Sequence, residues 1–391
     1  MKYKIDHKVE FGWSLHRQAC YHLTPSNAID VARHLRVSDI FSGGAGAKMK
    51  SQSNIQLRRS IVVRGLAVAW LFTPAPADAQ NAYITNQGIA PNFSNNVTVI
   101  DTTTNKVVTN IEVGLAPSGV AVAPDGSKVY VANQGVKGTV SVIDTATNAV
   151  TATVAVGSNP VGIAFKPDGT RVYVANKARH GTVSVIDTAT DSLYATIDVG
   201  VAPMGVTAKP DGSKVYVTND AVDGSVLVIN TATNAISATI PVGSHPVGVA
   251  VNPDGSKVYV ANRGSRTVSV IATATNTEIA TIDVGLAPFG VAVTPDGSKV
   301  YVTNLNNTVS VIATTTNTVS TTIPVGNGPL GVAFTPDGSK AYVANQFDHT
   351  VSVIATATNT VIATVDVGTS PIAFGIFIRP RPLAPPNLSR H

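Results

Sequence analysis

One unit recurs through the chain and leaves few folds open to it. The pattern Tyr-(Val/Ile)-x-Asn returns at Tyr83, Tyr130, Tyr173, Tyr216, Tyr259, Tyr301 and Tyr342, at intervals of 47, 43, 43, 43, 42 and 41 residues. A period of this size marks a propeller or a solenoid, in which each unit covers its apolar faces by stacking on the next. Each unit reads as four short strands rich in Val, Ile, Thr and Tyr. In the unit opening at Gly119 they are expected at 119–123, 128–133, 139–144 and 149–156. Both faces of these strands are apolar or small, as suits a sheet packed between two others. No stretch carries a convincing helical period, which argues against helical and leucine-rich solenoids.

The turns support the same reading. Pro124-Asp125-Gly126 joins the first two strands and recurs at Pro167, Pro210, Pro253, Pro295 and Pro336. Pro presets φ for such a turn, and Gly accepts the left-handed conformation that closes it. Thr145-Ala146-Thr147-Asn148 joins the third strand to the fourth, and a Val-Gly-x-x-Pro segment links each unit to the next. The first unit begins at Ala82 with a second strand, and the last is followed by an orphan apolar segment at 374–378. The economical arrangement lends that segment to the first unit as its missing innermost strand, which closes the ring and hides its edges. The expected fold is therefore all-β: a seven-bladed β-propeller of four-stranded blades over 80–378, followed by a Pro-rich tail at 379–391.

The signatures resemble those of the YVTN repeat family of β-propellers. Tyr216-Val217-Thr218-Asn219 and Tyr301-Val302-Thr303-Asn304 match its letters, and the other five vary at one or two positions. The resemblance covers about 81–378. It implies a propeller in an exported or cell-surface protein, and no particular reaction.

The segment before the propeller reads as an export signal. Arg58, Arg59 and Arg64 precede the apolar run Gly65–Phe72, and Ala77-Asp78-Ala79 forms a small-x-small cleavage site before Gln80. The run is too short to span a bilayer. Cleavage after Ala79 is preferred over an uncleaved anchor, so no transmembrane anchor is expected to remain. Arg58-Arg59 also fits a twin-arginine signal, as an alternative to the general route. Residues 1–48 carry four of the eight His, Trp13 and the lone Cys20. They read either as a metal-binding extension or as sequence upstream of a true start at Met49; the second reading is preferred.

Charge bears on partners. The formal net charge is +5, yet residues 1–79 hold 11 of the 28 Lys+Arg and 5 of the 23 Asp+Glu. The propeller is thus near neutral, which argues against a nucleic-acid footprint.

Strands in a blade alternate in direction. The Pro-Asp-Gly and Thr-Ala-Thr-Asn turns therefore share one face of the ring, and the blade links and second-to-third-strand loops share the other. The first face is nearly identical in every unit. The second varies, with a basic side at Lys177, Arg179, His180, Arg263 and Arg266, interrupted by Asp220 and Asp223. The link residue His245 and the loop residues Phe347 and His349 belong to this face. The residues after the link prolines are Ser118, Val161, Met204, Val247, Phe289, Leu330 and Ile372. They should ring the channel mouth, either as a greasy funnel for an aromatic ligand or as simple packing; Met204, Phe289 and Leu330 are its ligand-binding candidates.

The seven signature Asn, Asn133 among them, repeat too regularly to be catalytic and are read as satisfying loop backbone. His180 and His349 fall four blades apart, and Glu112 and Glu278 sit in outer strands. Neither a catalytic triad spacing, a metal-ligand cluster nor a haem-attachment Cys pair is evident, so no catalytic residue, metal or cofactor is assigned. The residues alone favour an exported, non-catalytic binding or scaffold protein that presents the variable face to a protein or small ligand. The alternative is a periplasmic propeller enzyme or cofactor-binding protein, a lactonase-type hydrolase or a quinone- or haem-associated one.

Overall fold

The structure, a computed structural model, describes residues 80–134 and 137–379. The readings of 1–48 as an extension and 49–79 as a signal, and the tail beyond Arg379, lie outside the described residues. Among the described residues there are only strands, and no helix long and apolar enough to cross a membrane.

Seven antiparallel sheets form the blades. Six hold four strands in sequential order, and the first holds three. In the second blade the strands are Pro117–Val122, Lys128–Asn133, Thr139–Asp144 and Ala149–Ala155. The innermost strand thus starts two residues before the expected Gly119, because Pro117 already pairs with Asn133 across a bulge. The glycine two residues after each such Pro lets neighbouring inner strands approach: a Cβ on Gly162 would lie 2.1 Å from the Met204 carbonyl oxygen.

The first blade is completed by the C-terminal segment. The amide of Tyr83 donates to the Phe377 carbonyl at 2.9 Å, and that of Ile372 to the Thr85 carbonyl at 2.9 Å. Isolated antiparallel bridges join Ala82 to Ile378 and Asn86 to Pro371. The closing segment also touches the second blade, where Val120 and Val122 donate to Phe374 and Ile376, each at 3.0 Å. The ring is closed from within and without.

Between blades the signature tyrosines are buried, six of them fully, among Val, Ile and Ala of two sheets. A lysine beginning the second strand reaches the next blade's outer turn. Lys257 Nζ donates to the Thr314 carbonyl at 3.0 Å, and across the ring closure Lys340 Nζ donates to the Thr102 carbonyl at 2.7 Å. Lys128 and the Tyr130 hydroxyl both bond Asp191, which replaces the Asn used in other blades. The signature Asn residues depart from the expectation in detail. Asn133 Nδ2 donates to the hydroxyls of Thr139 and Ser141, so it ties strand to strand rather than satisfying a loop; Asn219 bonds a backbone carbonyl, that of Val199.

The Pro-Asp-Gly turns store a pH dependence. Asp211 accepts the Ser213 amide at 2.9 Å and hydroxyl at 2.6 Å, with the Lys209 ammonium at 2.6 Å. Burial pushes the Asp211 carboxyl up, but these partners outweigh it and bring it down to about 2. Asp125, Asp168, Asp254, Asp296 and Asp337 are also held below their ordinary value. A carboxyl depressed by folding stabilises the fold above its unfolded value, and that contribution is lost as pH falls through the folded one. The melting temperature should therefore drop between about pH 4 and pH 2, and drop less in Asp211→Asn. A melting temperature flat over that range would refute this.

Candidate functional site

On the variable face, one repeat position builds a charged cluster. The residue following each signature Asn is Gln87, Gln134, Lys177, Asp220, Arg263, Leu305 and Gln346 in ring order. These positions meet their neighbours across blades: Gln87 Nε2 donates to Gln134 Oε1 at 2.8 Å. In the third, fourth and fifth blades the same geometry juxtaposes Lys, Asp and Arg. The Asp220 carboxylate is 6% exposed and receives the Lys177 ammonium at 3.0 Å, with Arg263 at 3.6 Å.

His245 completes the cluster from the link between the fourth and fifth blades. Its φ of 52° is left-handed, as at Ala116, Asn159, Ala202 and Ala287 in other links. That bend turns the side chain back over Asp220, whose Oδ1 lies 2.8 Å from Nδ1. Burial pushes the Asp220 carboxyl up, but the bonds from His245 and Lys177 and the charge of Arg263 outweigh it and hold it below the ordinary carboxylate range. Ionised, Asp220 can only accept, so Nδ1–H donates to it. In the neutral imidazole the lone pair is then left on Nε2. Two cationic side chains face one carboxylate, so the site carries excess positive charge beside an oriented imidazole. This arrangement can take a proton from water and stabilise an oxyanion.

The sequence-derived candidates separate accordingly. Lys177, His245 and Arg263 come together. Arg179 and His180 are exposed on the neighbouring loop, and Arg266 lies beyond Arg263 in its own loop. His349 is elsewhere, its Nδ1 accepting the Ser370 amide at 3.0 Å. Phe347 is 65% exposed and lies against Gly328, where a Cβ would meet its ring. Met204, Leu330 and the half-buried Phe289 pack with Val161, Val247, Ile372 and Phe374 into one apolar cluster. Phe289 meets Phe374 edge-on at 5.5 Å. The link residues therefore close the channel on this face. Among the described residues no three His, Cys, Asp or Glu side chains gather as metal ligands.

Asp220 is the residue that sequence reasoning passed over, having read it as an interruption of the basic side. Aligning the position after the signature Asn across units would have exposed it, since only three consecutive units carry a charge there. Lys177, Asp220, His245 and Arg263 therefore converge, a cluster that the sequence reading had not found.

Comparison with known proteins bears on this. The family model described as lactonase, 7-bladed beta-propeller, matches residues 183–372, which include Asp220, His245 and Arg263. No curated protein matches the chain. Among solved structures, the hydrazine synthase of Kuenenia stuttgartiensis is 26% identical, with a TM-score of 0.65 over 72% of this chain and 94% of that one. The periplasmic gluconolactonase of Pseudomonas aeruginosa is 22% identical, with a TM-score of 0.64 over 75% and 97%, and shares the fold. The lactonase match overturns the reading of a non-catalytic binding or scaffold protein, which had rested on the lack of a convergent acid–base set. The enzyme alternative is the better supported one.

Proposed function

We propose that the protein is an exported hydrolase of small lactones, built on YVTN-type repeats, whose active centre is the Asp220–His245 pair between Lys177 and Arg263. The observation that carries this reading is the 2.8 Å contact of a buried carboxylate with an imidazole inside an excess of positive charge. The lactonase match, which covers Asp220, His245 and Arg263 but not Lys177, supports it.

The chemistry follows from the geometry. Water, activated as Nε2 of His245 takes one of its protons, attacks the ring ester carbonyl carbon. Asp220 holds the imidazole and stabilises its protonated form. Lys177 and Arg263 stabilise the negative charge that gathers on the carbonyl oxygen. Collapse breaks the carbonyl carbon–ring oxygen bond. The imidazolium returns its proton to the departing alkoxide, giving an open-chain hydroxy acid that ionises in water.

The test is hydrolysis of glucono-δ-lactone and γ-butyrolactone by protein purified from an extracytoplasmic fraction, followed by acid release at constant pH. The expected result is saturable turnover in proportion to protein, from a chain beginning at Gln80. No acceleration of either lactone over buffer would defeat the proposal, and a mature chain retaining residues 49–79 would defeat its export.

A further inference from the structure

The channel closed on the variable face is open on the other. Its cavity of about 940 Å³ is bounded by the inner strands of all seven blades and by the Pro-Asp-Gly turns. At one end stands Phe374, which packs edge-on against Phe289; along the wall are mostly Gly, Ala and Val, with Phe165 and Phe334 set among them. Both of these Phe stack edge-on against signature tyrosines, Tyr130 and Tyr301. Among the described lining side chains only Asp125, in a mouth turn, is charged.

Shape and chemistry limit what can enter. The wall runs from Gly290 in one inner strand to Pro295 in the turn that follows it, about 17 Å at ~3.3 Å per residue, which gives a mean cross-section of about 55 Å². That is far wider than a single alkyl chain and wide enough for a fused ring system. A charge deep in this space would lose its hydration and find no opposite side-chain charge. The volume falls within the ~300–1,000 Å³ usual for small-molecule pockets. Inner strands lie at the edges of their sheets, so, Val120 and Val122 aside, their outward peptide groups can meet a few carbonyl or hydroxyl substituents.

We propose that this channel is a second ligand site, separate from Asp220–His245, for an uncharged fused-ring compound that enters from the Pro-Asp-Gly face and stops at the Phe289–Phe374 plug.

The test titrates the full chain with 1-aminoanthracene, an uncharged three-ring fluorophore. Saturable one-to-one fluorescence enhancement is expected. Ala250, half-buried in the channel wall, becomes an obstruction in Ala250→Phe, which should weaken binding at least about tenfold. Ile376 is 49% exposed in the same wall, so Ile376→Glu should fold even if the first variant does not, and should weaken binding likewise. Lactone hydrolysis should stay at the wild-type rate in both folded variants, which separates this site from the proposed active centre. His245→Ala should bind the probe as wild type. Absence of saturable binding, unchanged affinity in a folded channel variant, or loss of binding in His245→Ala would overturn the proposal.

Discussion

His245→Ala should lower kcat/KM for lactone hydrolysis by about 10²–10⁴-fold, the range that a positioned general base supplies. The side chain is 38% exposed and its loss opens no core cavity, so the protein should melt near the wild-type temperature. Asp220→Asn should cost a comparable factor for a different reason. The amide can donate to Nδ1, which favours the tautomer with its proton on Nε2 and removes the base. It also leaves Lys177 and Arg263 without their carboxylate, which argues for measuring folding beside activity. A folded His245→Ala protein with the wild-type rate would remove the imidazole from the mechanism.

Deleting residues 371–391 should leave no stable propeller. The segment buries Ile372, Phe374, Phe377 and Ile378, each 7% exposed or less, and fills the innermost position of the first blade. At ~1.5–3 kcal/mol per large apolar side chain the loss is about 6–12 kcal/mol, as large as the ~5–15 kcal/mol that holds most domains together. Unpaired groups on the Asn81–Ile89 strand add to it. The single change Phe377→Ala, at a fully buried position, should cost ~3–5 kcal/mol. Removing only 382–391 leaves every one of these contacts in place and should cost less than ~1 kcal/mol. Denaturant unfolding measures all three. Equal midpoints for the long and short truncations would show that the ring is closed some other way.

The two effects differ in how far the residues announced them. Ring closure could be read directly, because six complete units show what the seventh lacks, and the apolar run at 374–378 has no blade of its own. The turns were equally legible, since Pro-Asp-Gly has a local mechanism that needs no tertiary context. The candidate site was legible only in part. Lys177 and Arg263 drew attention as charges on the variable face and His245 as a link residue there, but their convergence on Asp220 depends on two things that a linear reading hides. One is the lateral register that brings the residue after each signature Asn beside its counterpart in the next blade. The other is the left-handed φ at His245, a conformation that the residue type does not advertise, since Ala adopts it in other links. The apolar residues after the link prolines, expected to ring the channel mouth, meet in one apolar cluster. Whether it formed a funnel or a plug depended on how far Met204, Phe289 and Leu330 reach across a seven-bladed ring, a matter of radius rather than sequence pattern.

A four-protein comparison bears most directly on the proposed active centre: kcat/KM for glucono-δ-lactone in the wild type, His245→Ala, Asp220→Asn and the double variant, each checked for folding. Residues that act as one unit lose their contribution once, not twice. The wild type should exceed the buffer rate, and the three variants should fall to a similar low floor, the double losing little more than either single change. A wild type no faster than buffer, or folded variants that keep its rate, would contradict the assignment of lactone hydrolysis to Asp220 and His245.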